Sequence, residues 1–178
     1  MKNLMAAMVL SVSTAAVTAQ EIPMPTAGPE HKALSVFAGK WNFEGKAEAG
    51  AMGPGGPVTF IESCEMYDGG FALVCRAEGK NPMGPVKTLA IMTYDTEKKA
   101  YTYYAVEPGM PPFMAIGKHE GNAWNWMTEM NMGGQTMKTA VTVTVPTPTS
   151  QTFEMKMSTD DGKTWAPLMS GKSTKSGT

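Results

Sequence analysis

The chain has 178 residues, with 15 Lys and Arg against 16 Asp and Glu and a formal net charge of −1. Arg76 is the only arginine and no basic run occurs, which excludes a nucleic-acid binder, because phosphate neutralisation needs clustered cations. The length supports one domain with a real core and is too small for two comfortable ones.

In chain order, Lys2 followed by an apolar stretch from Leu4 to Val17 and the small-residue run Val17-Thr18-Ala19 reads as a signal peptide at residues 1–19, cut after Ala19. The apolar run is too short to span a bilayer and no second one follows, so no membrane span is expected. The expected location is periplasmic or secreted. Residues 20–28 read as a flexible leader. Pro29 suits the first turn of a short helix, Leu34, Phe37 and Ala38 give that helix an apolar stripe, and Gly39 suits its C-terminal cap.

From Lys40 onward the hydrophobic period becomes two. Lys40 to Lys46 places Trp41 and Phe43 on one face with charge on the other, and Gln151 to Ser158 does the same with Phe153, Met155 and Met157. Runs near 58–67, 71–79, 86–95, 100–107, 113–119, 122–130, 136–145 and 164–173 complete ten strands with turn-rich links. The fold class is therefore all-β: an antiparallel up-and-down β-barrel of about ten strands with a short N-terminal helix, spanning 29–174 as one domain. The Gly50–Pro57 segment is too rich in Gly and Pro for a central strand and reads as a mobile loop at one barrel mouth. Leu89 to Met92 and Tyr101 to Val106 are apolar on both faces, which leaves room for a sandwich or a homodimer contact.

Cys64 and Cys75 flank the turn Asp68-Gly69-Gly70. Pairing about Gly69-Gly70 matches residues whose numbers sum to 139, so the two cysteines lie directly opposite on the face of Met66 and Leu73 and form a cross-strand disulfide. Glu62 shares a face with Phe60, Cys64 and Met66, an inward carboxylate that is costly unless paired or wetted. Ser158-Thr159-Asp160-Asp161-Gly162-Lys163-Thr164-Trp165 has the pattern of a sialidase Asp-box, which here reads as turn chemistry with Asp160 bonding local backbone.

Methionine is abundant, 17 in the chain and 14 after residue 19. Met127, Met130 and Met132 form the densest cluster and supply soft thioether ligands for Cu(I), whereas Met155 lies at strand period beside Phe153 and reads as a wall position. His31 and His119 stand alone, without a second ligand at metal-binding spacing. No catalytic triad or phosphate loop is visible, so the expectation is a protein without cofactor or catalytic residues. The expected lumen is lined by Trp41, Phe43, Phe60, Glu62, Tyr103, Trp124, Trp126, Phe153 and Met155 and takes a small hydrophobic ligand. Copper binding at the methionine cluster and a structural, dimeric role are the alternatives.

Gly39-Lys40-Trp41, opening the first strand after a short helix, is similar to the G-x-W entry of the lipocalin and fatty-acid-binding superfamily. With His31-Lys32-Ala33-Leu34, Gly53-Pro54-Gly55-Gly56-Pro57, Asp68-Gly69-Gly70-Phe71, Met83-Gly84-Pro85, Thr93-Tyr94-Asp95, Lys98-Lys99-Ala100-Tyr101, Thr152-Phe153-Glu154-Met155 and Asp161-Gly162-Lys163, the chain resembles the bacterial family called domain of unknown function 1579 over residues 30–173. That resemblance implies an exported lipocalin-like barrel and brings no catalytic residues. The haem-binding barrels of the superfamily use a histidine late in the chain; nothing after His119 can serve here.

Overall fold

Two-residue alternation from Gly39 to Lys175 builds ten antiparallel strands that close on themselves in a computed structural model describing residues 26–50, 52–132 and 134–177. The strands are β1 (Gly39–Ala47), β2 (Gly56–Met66), β3 (Ala72–Asn81), β4 (Gly84–Asp95), β5 (Ala100–Val106), β6 (Phe113–Glu120), β7 (Ala123–Met132), β8 (Gln135–Thr147), β9 (Ser150–Ser158) and β10 (Ala166–Lys175). Each pairs with its sequence neighbours, and β10 returns to β1, so the barrel closes without a sheet edge among the described residues; the β8–β9 and β9–β10 registers shift at Thr144/Thr147 and Pro167/Met169. The expected signal peptide, its cleavage site and most of the leader lie outside the described residues. No helix among the described residues is long and apolar enough to cross a membrane.

Up-and-down connectivity sorts the links onto two ends. The links at 67–71, 96–99, 121–122 and 148–149 share one end with the N-terminal helix. The links at 48–55, 82–83, 107–112, 133–134 and 159–165 share the other.

The helical segment is α1 (Pro29–Ala33), tightened into a 3₁₀ turn over Leu34–Phe37. It plugs one barrel end by burying Leu34 and Phe37 against Leu73, Tyr101 and Trp124. Gly39 does not cap this helix as expected. Ala38 is already extended and Gly39 opens β1 at φ +119°, where a Cβ would also collide with the Lys175 side chain. That glycine turns the chain sharply enough for the Trp41 indole to donate from Nε1 to the Phe37 carbonyl at 2.8 Å, while Lys175 lies 5.1 Å above the ring. β2 begins two residues earlier than expected, because Gly56 and Pro57 pair with Ala47 and Lys46 at the end of the ladder, where proline is tolerated.

The hairpin between β2 and β3 has the expected register: Cys64 pairs with Cys75, Met66 with Leu73. The two cysteines form a disulfide with Cα atoms 4.1 Å apart. The Asp160 turn is likewise built as read. Thr164 donates from its amide and hydroxyl to the two Asp160 carboxylate oxygens at 2.9 and 2.6 Å, Ser158 Oγ donates to Asp160 at 2.8 Å, and Trp165 Nε1 donates to the Gly162 carbonyl at 3.0 Å. The Thr164 and Ser158 donors hold the Asp160 carboxyl down at about 2, the Thr164 hydroxyl being the largest influence.

Candidate functional site: the barrel lumen

The inward positions of the ten strands do not fill the barrel. Above the helical plug they leave a cavity of about 370 Å³, within the size range of small-molecule sites. One reason is local. The ring of Trp126 lies against Gly117 on the paired strand and that of Phe43 against Gly171, and a Cβ at either glycine would collide with the ring opposite. Glycine on one strand lets a large ring on the next lie flat on the wall, which keeps the centre open.

Phe43, Phe60, Glu62, Tyr103, Trp126, Phe153 and Met155 all line this cavity, joined by Phe37, Val58, Val86, Met92, Phe113, Ala115, Val141, Val143 and Met169. Phe43 stacks on Phe60 with centroids 4.3 Å apart and meets Phe153 edge-on at 5.8 Å. Trp41 and Trp124 do not reach it. Both are 1% exposed and sit in the floor, Trp41 bonded to Phe37 and Trp124 packed edge-on against the Phe37 ring at 5.0 Å. Inward parity is shared by floor and wall; height along the barrel separates them. His119, at the same end, stacks on Trp124 at 4.0 Å.

The copper cluster is not assembled. Met127 is 45% exposed on the outside of β7, and Met130 lies on the opposite, inner face opposite Met137 of β8. Two thioethers on opposite faces of one strand cannot share an ion. The Met132 side chain lies outside the described residues.

The lumen also carries polar and acidic groups. Glu62 faces the cavity from β2, with no hydrogen bond or ion pair among the described residues, and desolvation pushes its carboxyl up to about 7. One of its oxygens lies within 4.8 Å of both sulfurs of the Cys64–Cys75 bridge. Those sulfurs are bonded to each other and offer no thiolate to a metal. The Tyr103 hydroxyl is pushed above its ordinary value, first by burial and then by the charges of Glu62 and Glu107. Glu107 also lines the cavity and accepts a hydrogen bond from Thr88 Oγ1 at 3.0 Å. Gln151 is 6% exposed in the cavity wall, and its Oε1 is buried without a hydrogen-bond partner among the described residues. Period located Glu62; it also gives Gln151 the parity of Phe153 and Met155 and opens a strand at Phe113, but parity does not show that these residues, or Glu107 just past the end of β5, reach the cavity.

The family model described as a protein of unknown function, DUF1579, matches residues 26–175, the whole barrel with its plug. The chain belongs to the DUF1579 family. No curated protein matches it. Among solved structures, this DUF1579 barrel is similar to Rv2717c from M. tuberculosis, with TM-score 0.60 and 9% identity over 85% of this chain and 99% of that one. It is also similar to the S-type phycobiliprotein lyase CPES from Guillardia theta, with TM-score 0.53 and 9% identity over 83% and 92% of the two chains. At such identities these likenesses establish a shared lipocalin-like barrel fold for the DUF1579 chain and nothing about its chemistry.

The outer surface carries a second feature. Leu89 and Ile91 on β4, Tyr104 on β5, Met114 and Ile116 on β6 and Met127 on β7 are each at least 40% exposed. Register makes them neighbours: Ile91 pairs with Tyr104, Tyr104 with Met114, and Ile116 with Met127. They form one apolar patch across four strands.

Proposed function

We propose that this protein is an exported, non-enzymatic carrier that holds a small, largely apolar molecule in the barrel lumen. The observation that carries the reading is the open cavity itself, walled by Phe43, Phe60, Trp126, Val141, Phe153 and Met155, with polar side chains set between the apolar ones. Burial of an apolar ligand against such a wall contributes about 25 cal/mol per Å² removed from water. Export is supported by the charged and apolar N-terminal pattern at residues 1–19 and by the Cys64–Cys75 bridge, a feature of oxidising compartments. Trp41 and Trp124 belong to the floor in this reading and make no ligand contact.

The test is native mass spectrometry of the protein recovered from its export compartment. A mature chain beginning at Gln20 and carrying an organic mass that denaturation releases is the expected result. A Val141→Trp variant, which fills the cavity, should keep its fold and lose that mass. A bare chain that also fails to take up decanol in vitro would overturn the carrier reading.

A second reading concerns the outside of the barrel: the patch centred on Tyr104 is a contact with a second copy of the chain. A closed barrel has no free edge to pair, so association must use a face. Six partly exposed apolar side chains offer on the order of 500 Å² per copy, close to the lower bound of a stable interface. Light scattering should give a dimer mass that Tyr104→Lys reduces to a monomer; a monomeric parent would overturn it.

A further inference from the structure

The charged groups lining the lumen are unequal. Glu62 and Glu107 face it from β2 and the end of β5, whereas the one lining cation, Lys80, lies on an outward-alternating position at the mouth end of β3. A fatty acid or other anion would meet two carboxylates and no buried cation. Burying a charge beside like charges without a partner is among the most costly arrangements a protein can make.

The same corner is aromatic. Tyr103 stands 6.0 Å from Trp126 at an interplanar angle of 61° and 6.0 Å from Phe113 at 33°, and all three rings line the cavity. Glu62, Tyr103, Glu107, Phe113 and Trp126 come from β2 and from the run β5 to β7 in the closed strand order, so acids and rings share one part of the lumen wall. Opposite them β8 and β9 offer Val141, Val143, Phe153 and Met155. Glu62 itself has no hydrogen-bond or ion-pair partner among the described residues, so it is free to receive a ligand cation.

We propose that the lumen takes a hydrophobic cation, a small molecule with an apolar body and a protonated amine, whose charge sits between Glu62 and Glu107 against the rings of Tyr103, Phe113 and Trp126. The inference rests on the lumen being a ligand site and specifies its ligand. Carboxylates at close range neutralise the ammonium in a low-dielectric space, and aromatic faces attract it through their quadrupoles. The aliphatic wall of β8 and β9 buries the tail. A ligand cation also relieves the protein, because it partners a carboxylate that otherwise faces the cavity alone.

Three probes that share one tail separate the possibilities: decylamine, decanol and decanoate, titrated calorimetrically into the mature protein at pH 8. Decylamine should bind at least tenfold more tightly than decanol, and decanoate should bind weakest. Glu62→Gln should abolish the amine preference while leaving decanol affinity within about threefold. Val141→Trp should remove both, with Ala115→Leu as a second lumen-filling variant should the tryptophan disturb folding. Equal or tighter binding of decanol or decanoate by the parent protein would overturn the cation assignment and leave the carrier reading standing. An amine preference that survives both Glu62→Gln and Glu107→Gln would overturn it as well, as would decylamine binding unaffected by the filling variants. Failure of all three probes to bind would overturn both.

Discussion

Replacing Glu62 by glutamine should make the protein more stable at neutral and alkaline pH and should flatten the dependence of its stability on pH. Burial raises this carboxyl from 4.5 to about 7, so between those values the folded protein holds a proton that the unfolded chain has released. The folded state binds more protons there, and stability falls as pH rises. The contribution is fully present below about 4.5 and is lost as pH climbs through 7. At about 1.4 kcal/mol per pH unit, a gap of roughly 2.5 units is worth up to about 3 kcal/mol. Glu62 faces a cavity with room for water, which stabilises the ionised form and brings the expected effect to about 1–3 kcal/mol. For a domain of this length that corresponds to roughly 3–10 °C in Tm. Urea denaturation of parent and Glu62→Gln proteins at pH 5 and pH 8 measures it directly. The parent should lose stability between the two values and the variant should not. Asp95 and Asp160, whose carboxyls are held below their ordinary values by hydrogen bonds from Lys98 and Thr164, act below this window and with the opposite sign, since what they contribute disappears as pH falls. An identical pH dependence in the variant would refute the idea that a desolvated Glu62 lies inside the lumen.

Cys64→Ser with Cys75→Ser should cost about 2–3 kcal/mol, the range for a loop this short, seen as a lower denaturation midpoint that matches the parent under reducing conditions. Gly117→Ala puts a methyl group into the Trp126 ring; it should cost about 1–3 kcal/mol by overpacking and shift the tryptophan emission. Asp160→Ala removes the acceptor for Thr164 and Ser158 and should raise hydrogen exchange of the Gly162 and Thr164 amides, with the β2–β3 hairpin amides unchanged. Trp41→Phe removes the bond to the Phe37 carbonyl and should loosen the helical plug, measured as faster exchange of the Leu34–Phe37 amides.

The sequence alone carried the strand count, the pairing order and the hairpin that joins the cysteines. Period-two alternation fixes which face a side chain takes, and a tight turn fixes the register beside it. That is why the opposition of Cys64 and Cys75 could be worked out from a sum of residue numbers, and why parity alone already separates Met127 from Met130. What only the tertiary structure decided is height along the barrel axis. Trp41 and Phe43 share a face, yet one closes the floor and the other lines the cavity. Trp124 and Trp126 divide in the same way. Height depends on how far the strands stagger when the sheet closes, a property of all ten registers together. The open lumen was undecided for the same reason. Apolar inward residues fit a filled core or a hollow one equally, and the outcome turned on glycines meeting aromatic rings across strand pairs that closure brings side by side. That Glu62, Tyr103 and Glu107 line one cavity has no local signature either, because their side of the wall is assembled by the pairing of β2 through β5.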